Sequence, residues 1–177
     1  MTMDPRLQEL LDHHDIRKTL AEYCHACDRG DEAMMAACYT GEDSWDDHGM
    51  VKACGPEYAR IMTGRVLQNT EAASHILGQS LIRTDGDAAV AETFFVAFFR
   101  LPDTDAEPAR MNQLVGRFVD RLERIGSKWK IRERTCVRDT SLTQPVTRDD
   151  YAAFGFVEAR RDSGDLGVAL IGLAHRS

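Results

Sequence analysis

Long apolar runs are missing from this chain of 177 residues. Its most apolar stretch, Ala88 to Phe99, is broken by Glu92 and Thr93. It falls short of the ~20 residues that cross a bilayer as a helix. The opening Met-Thr-Met-Asp-Pro-Arg carries no apolar signal region, so a cytoplasmic location is expected. Basic residues are also in deficit, with 22 Lys+Arg against 29 Asp+Glu and a net charge of −7. That balance lacks the basic footprint that nucleic acid or an anionic membrane surface would require. Glycine-rich phosphate loops, dinucleotide fingerprints and the Gly-x-Ser-x-Gly elbow are absent. Metal-ligand sets are thin. Cys24-His25-Ala26-Cys27 has no second pair to complete a structural zinc site, and it lies near a helix end rather than at the start of one, where a redox pair would sit. The cysteines are therefore read as core packing. Their odd number, 5, suits a reducing compartment. No metal and no organic cofactor is expected.

What is present is an ordinary globular composition, 43% hydrophobic and 29% charged, of a size that fits one domain. The first half reads as helices. Ile16, Leu20, Tyr23, Cys24 and Cys27 recur at helical spacing over residues 6–28, and Gly30 is a natural stop. Asp31 caps a second, short helix through Met34, Met35 and Cys38, and Pro56 opens a third that carries Tyr58, Ile61 and Met62. The period then changes. Residues 72–83 and 88–101 form a hairpin about Thr84-Asp85-Gly86-Asp87, residues 103–109 a solvated loop, and residues 110–124 and 128–138 two more strands. Trp129, Ile131 and Val137 are placed on one parity of the last strand. Helices first and strands after them imply an α+β fold with segregated layers. The expected shape is a cone-shaped barrel: N-terminal helices packed on a strongly bent, mostly antiparallel sheet, with an interior pocket. The core domain is taken as residues 1–140. Residues 141–177 are an extension of the same domain, a lid or a subunit contact, with a short helix opening at Asp149, Asp150 and Tyr151 and an apolar run from Val168 to Leu173.

Of 6 histidines, His13, His14 and His175 lie among charged residues near the ends and read as solvated. His75 differs, since it is placed on one strand face with Ala73, Leu77 and Leu81. An imidazole there must find a partner, either a backbone carbonyl or a functional group. Asp28 ends the first helix close to its buried stripe, where the helix dipole disfavours a carboxylate. It is either an exposed turn residue or the group that orients His75. Trp45-Asp46-Asp47-His48-Gly49 is either a solvated loop or a segment at the pocket mouth, presenting Trp45 to an aromatic ligand and His48 as a second acid or base. Tyr23 either packs in the core or donates its phenol. Arg134 is either solvated or turned inward against Asp28, Asp139 or a substrate anion. Among Phe94, Phe95, Phe98 and Phe99, the parity of Val96 and Phe98 is taken to line the cone, with Trp45 completing an apolar wall.

The order Tyr23…Asp28-Arg29-Gly30-Asp31, Trp45-Asp46-Asp47-His48-Gly49, His75, Gly116-Arg117-Phe118-Val119-Asp120-Arg121-Leu122-Glu123-Arg124 and Trp129-Lys130-Ile131…Arg134 resembles the SnoaL-like branch of the nuclear-transport-factor-2-like superfamily. The likeness spans residues 6–140. Relatives in that branch include scytalone dehydratase, a hexachlorocyclohexane dehydrochlorinase, bile-acid dehydratase and cofactor-free diarylpropane lyases. The resemblance implies His75 as general base with Asp28 as its orienter. It matches Tyr23 and Trp45 to pocket positions, and His48 and Arg134 more loosely. It also implies a cofactor-independent lyase acting on a small hydroxylated aromatic compound, by dehydration or by release of formaldehyde. An isomerase using the same base, and a non-catalytic binding module, are the alternatives. A homo-oligomer, dimer or trimer, is the expected assembly.

Overall fold

The computed structural model describes residues 4–105, 107–147 and 151–174. Helix α1 (Pro5–Arg29) buries the expected stripe of Ile16, Leu20, Tyr23, Cys24 and Cys27, with Asp4 as N-cap. It ends at Gly30, whose φ of 72° takes the left-handed cap position. The Asp31 carboxylate accepts the Met34 N–H at 2.9 Å and so starts α2 (Glu32–Ala37). Two short strands follow, β1 (Trp45–Asp47) and β2 (Lys52–Ala53), then α3 (Gly55–Asn69) with Pro in its first turn. The long strands are β3 (Ala72–Asp85), β4 (Ala88–Leu101), β5 (Arg110–Ile125) and β6 (Lys128–Pro145). A 3-10 turn (Tyr151–Phe154) and α4 (Leu166–Ala174) follow among the described residues. The Asp149 and Asp150 start proposed for the tail helix, and His175, lie outside the described residues.

One sheet has the order β2-β1-β6-β5-β4-β3. Neighbours are antiparallel except β1 and β6, which run parallel. α1 touches both β3 and β6. Those strands are three places apart, about 14 Å in a flat sheet at the usual spacing. A single helix reaches both because the sheet curls around it. The result is an α+β fold with the helices in the concavity of an open, curled sheet. The helix–sheet seam is tied by Thr19, whose hydroxyl donates to the Trp129 carbonyl at 2.7 Å, and by Asp12. The Asp12 carboxylate accepts from Gln8, Arg124 and Trp129 Nε1.

Three bulges decide which residues face inward, and they overturn parts of the alternation read from sequence. In β3 the register shifts between Leu77 and Ser80. One extra residue reverses the parity, so Ile82 is buried while Leu81, expected inside, is 64% exposed. In β6 the register slips at residue 132, since Leu122 pairs with Ile131 but Arg121 with Glu133. The inward set passes from Trp129 and Ile131 to Arg134, and Val137 lies on the opposite parity from the one expected. A further shift follows between Val115 and Gly116. The boundary placed at residue 140 falls inside β6, which runs unbroken to Pro145.

Beyond the sheet the chain folds back on α3. The Arg161 guanidinium donates to the carbonyls of Val66 and Thr70 and to the Thr70 hydroxyl, each at 2.9 Å. It adds a cation at the C-terminal end of α3, the charge sign the helix dipole favours there.

Candidate active site

Asp28 and His75 are brought together from elements 47 residues apart. The last turn of α1 packs on the start of β3. There one carboxylate oxygen accepts the His75 backbone N–H at 2.8 Å, and the other takes the ring Nδ1 at 2.6 Å. Both oxygens are used, so the carboxylate fixes strand and imidazole as one unit. An ionised carboxylate accepts only, so Nδ1 carries the proton and Nε2 keeps its lone pair. The His75 side chain is 8% exposed and that of Asp28 12%, which leaves the pair reachable but largely shielded.

The walls around His75 follow from strand register. His75 pairs with Ala97, Leu77 with Phe95 and Ala73 with Phe99. Paired residues share a face, so His75 meets Phe95 and Phe99 at ring-centroid distances of 6.1 and 5.6 Å. Val96 and Phe98 occupy the other face of β4, away from His75, and Phe95 and Phe99 stand on its side. Phe95 stacks on Phe118 at 4.4 Å. That stack is possible because β5 carries Gly116, where a Cβ would stand 2.3 Å from the Val137 carbonyl and 3.1 Å from the Phe95 ring.

Phe118 leads to a second Asp–His pair. Its ring lies 6.0 Å from the His48 ring, which rests on Tyr58 at 4.8 Å. His48 Nδ1 is bonded to Asp46, and the same fully buried carboxylate accepts the Tyr39 hydroxyl. Trp45 was expected to meet ligand, but β1 alternates. Asp46 takes the inward position, and Trp45 turns outward with 49% of its surface exposed. Sequence reasoning thus passed over Asp46, Tyr39, Phe95 and Phe118. The alternation of Trp45-Asp46-Asp47-His48 was the available clue.

Between the two pairs lies a buried ion pair. Arg134 binds Asp120 through two parallel hydrogen bonds of 2.7 and 2.8 Å. Its guanidinium sits 4.1 Å from the ring centroids of both Tyr23 and Phe118. Burial alone would favour loss of its charge; the Asp120 carboxylate outweighs this and holds Arg134 firmly protonated. Asp120 is thus its partner, not Asp28 or Asp139. Arg134 Nη1 is buried and finds no acceptor among the described residues. Tyr23 is 2% exposed. Burial, then the charges of Tyr39 and Asp46, push its phenol well above the ordinary range.

The Cys24-His25-Ala26-Cys27 segment lies apart from this chemistry. Cys24 and Cys27 are free, buried thiols, and burial pushes Cys24 up to about 12 and Cys27 higher still. Among the described residues no three His, Cys, Asp or Glu side chains gather as a metal site, and no helix is long and apolar enough to cross a membrane.

Comparison with known proteins bears on the family and the fold. Residues 8–135 match the model of the SnoaL-like domain family. No curated protein matches the sequence. Among solved structures, a proposed scytalone dehydratase of Novosphingobium aromaticivorans is similar in fold, with 17% identity and a TM-score of 0.67 over 80% of this chain and 97% of that one. A type 2 hexachlorocyclohexane dehydrochlorinase gives 14% identity and a TM-score of 0.70 over 81% and 96%. A protein of unknown function from Mycobacterium tuberculosis gives 21% and 0.66, and covers 97% of this chain and 91% of its own.

Proposed function

The chain belongs to the SnoaL-like domain family, and on that footing we propose that it is a cofactor-independent lyase acting on a small hydroxylated aromatic compound. The observation that carries the reading is the Asp28 clamp on His75. Elimination needs a base for a carbon-bound proton and a donor for the departing oxygen. His75 Nε2 is the base, and Asp28 stabilises the imidazolium that forms. Tyr23 and His48 are the two candidates for donor. A para-phenol on the substrate serves as electron sink through a quinone methide, so the residues of the chain suffice. Phe95, Phe99 and Phe118 supply the apolar surface that an aromatic ring prefers, and the unpaired Arg134 N–H supplies a donor for a substrate oxygen. In dehydration His75 takes the carbon-bound proton; in release of formaldehyde it takes the hydroxymethyl O–H proton, the C–C bond breaks and its electron pair passes into the quinone methide. Similarity to a dehydratase and a dehydrochlorinase supports a lyase over an isomerase, since the names of both describe loss of a group.

The test is turnover of a panel of phenolic alcohols with product masses measured. A product lighter by water or formaldehyde, formed by the wild-type chain and lost in His75→Ala, is expected. A product of unchanged mass makes the protein an isomerase. Tight binding of the panel without conversion makes it a binding module.

A further inference from the structure

Asp46 is the most deeply buried carboxylate facing the site, and nothing in the clamp on His75 uses it. Its partner in register is Arg134 of β6, so it sits on the inward parity of β1. It has no solvent exposure and accepts from Tyr39 and from His48 Nδ1. Both donors are themselves held. Tyr39 is packed against Gly55, where a Cβ would stand 2.2 Å from the ring carbon Cγ. The His48 backbone N–H donates to the Val51 carbonyl at 2.9 Å, and the Gly49 N–H to the Asp47 carboxylate at 2.8 Å, which closes the loop beneath the imidazole. With Nδ1 committed to Asp46, Nε2 is the nitrogen left for a ligand. The His48 side chain keeps 18% of its surface open.

We propose that Asp46, buttressed by Tyr39, is a positioning residue that makes His48 the proton donor of this site, facing the Asp28–His75 base across the Phe95–Phe118 stack. The proposal rests on the lyase reading above and chooses between its two candidate donors. Tyr23 is the weaker candidate. Its ring is covered by Arg134 and by the edges of Tyr39 and Phe118, and burial makes its phenol a weaker acid. It orients, while His48 gives. In the step, His75 Nε2 takes the proton and the C–H electron pair becomes the new double bond. The C–O bond breaks with its pair on oxygen, and that oxygen takes the Nε2 proton of protonated His48 and departs as water. His75 ends protonated and His48 neutral, and solvent restores both. The charges and titratable groups facing His48 are Asp46 and Asp47 from β1, Asp120 from β5 and Tyr58 from α3. Asp47 is paired with Lys52 and Asp120 with Arg134, which leaves Asp46 as the carboxylate committed to the imidazole.

The first test needs no substrate. The full chain is labelled with 15N-histidine, and long-range proton–nitrogen spectra are recorded. Neutral His48 is expected to carry its proton on Nδ1, and Tyr39→Phe to shift that resonance while leaving His75 unmoved. A wild-type proton on Nε2, or no response to Tyr39→Phe, overturns the proposal. Tyr39→Phe is used because Asp46→Asn strikes the core. The second test compares two substrates of one carbon skeleton, one losing hydroxide and one losing chloride, which departs without a proton. His48→Gln should lose about 10²–10⁴-fold on the first and less than about ten-fold on the second. His75→Ala should fail on both. Equal losses for His48→Gln overturn its role as donor and leave the base intact. Undiminished turnover in His75→Ala overturns His75 as the base of that reading and leaves the His48 spectra as they are.

Discussion

The two Asp–His pairs of this protein are built in opposite ways. Asp28 and His75 stand 47 residues apart and meet only because the end of α1 packs on β3. Asp46 and His48 are two residues apart, and the geometry of one short strand and its loop makes their bond. In the first pair the carboxylate also holds the backbone of its histidine; in the second it holds a tyrosine instead. A pair made by tertiary packing reports the integrity of the whole cone. A pair made locally depends first on its own strand and loop. The difference suits their proposed roles: the base must hold one position relative to a carbon–hydrogen bond, whereas a proton donor tolerates more freedom.

Removing the base should have the largest effect. His75→Ala is expected to reduce turnover about 10²–10⁴-fold, and Asp28→Asn by a comparable factor, while folding is retained by circular dichroism. Next comes the ion pair between the two sites. Asp120→Asn leaves the Arg134 charge buried and unpaired, and should lower stability by about 3–5 kcal/mol in urea unfolding. That loss should disturb the histidine spectra, with His48, which Asp120 faces, moving more than His75. A smaller effect is expected at Asp12, far from either pair. Burial raises its pKa, but hydrogen bonds from Arg124, Gln8 and Trp129 outweigh that and leave it lowered from 3.8. A carboxylate lowered by folding stabilises above its unfolded value, and that contribution is lost as pH falls through the folded value. Urea midpoints should therefore drop below about pH 4, and Asp12→Asn should remove this part of the acid sensitivity. The smallest effect belongs to Trp45→Ala. Its side chain faces outward, so affinity for a non-reactive phenolic analogue should change less than about two-fold, whereas Phe99→Ala should weaken it measurably.

Helix limits, caps and hairpin turns were legible in the sequence because each is set by local chemistry. Asp31, Gly30, Pro56 and the Gly86 and Gly126 turns all sit where local rules put them. Asp28 and His75 were legible as misfits, polar groups on buried faces. What alternation could not give was inward or outward assignment past a bulge. Leu81 and Val137 were misplaced for that reason, and the same kind of slip in β6 turns Arg134 into the core. Val96 and Phe98 were misplaced for another reason. Both faces of β4 carry rings, and only pairing with His75 distinguishes them. Asp46 was hidden by its surroundings, since an aspartate in an acidic segment looks solvated until its strand is known to pair with β6.

The central claim is that Asp28 and His75 act as one unit, and a double-mutant cycle on turnover tests it most directly. Groups that work only together lose their effect together. The account predicts that Asp28→Asn combined with His75→Ala is no slower than His75→Ala alone. Losses that multiply, each variant contributing its full factor in the presence of the other, would contradict it.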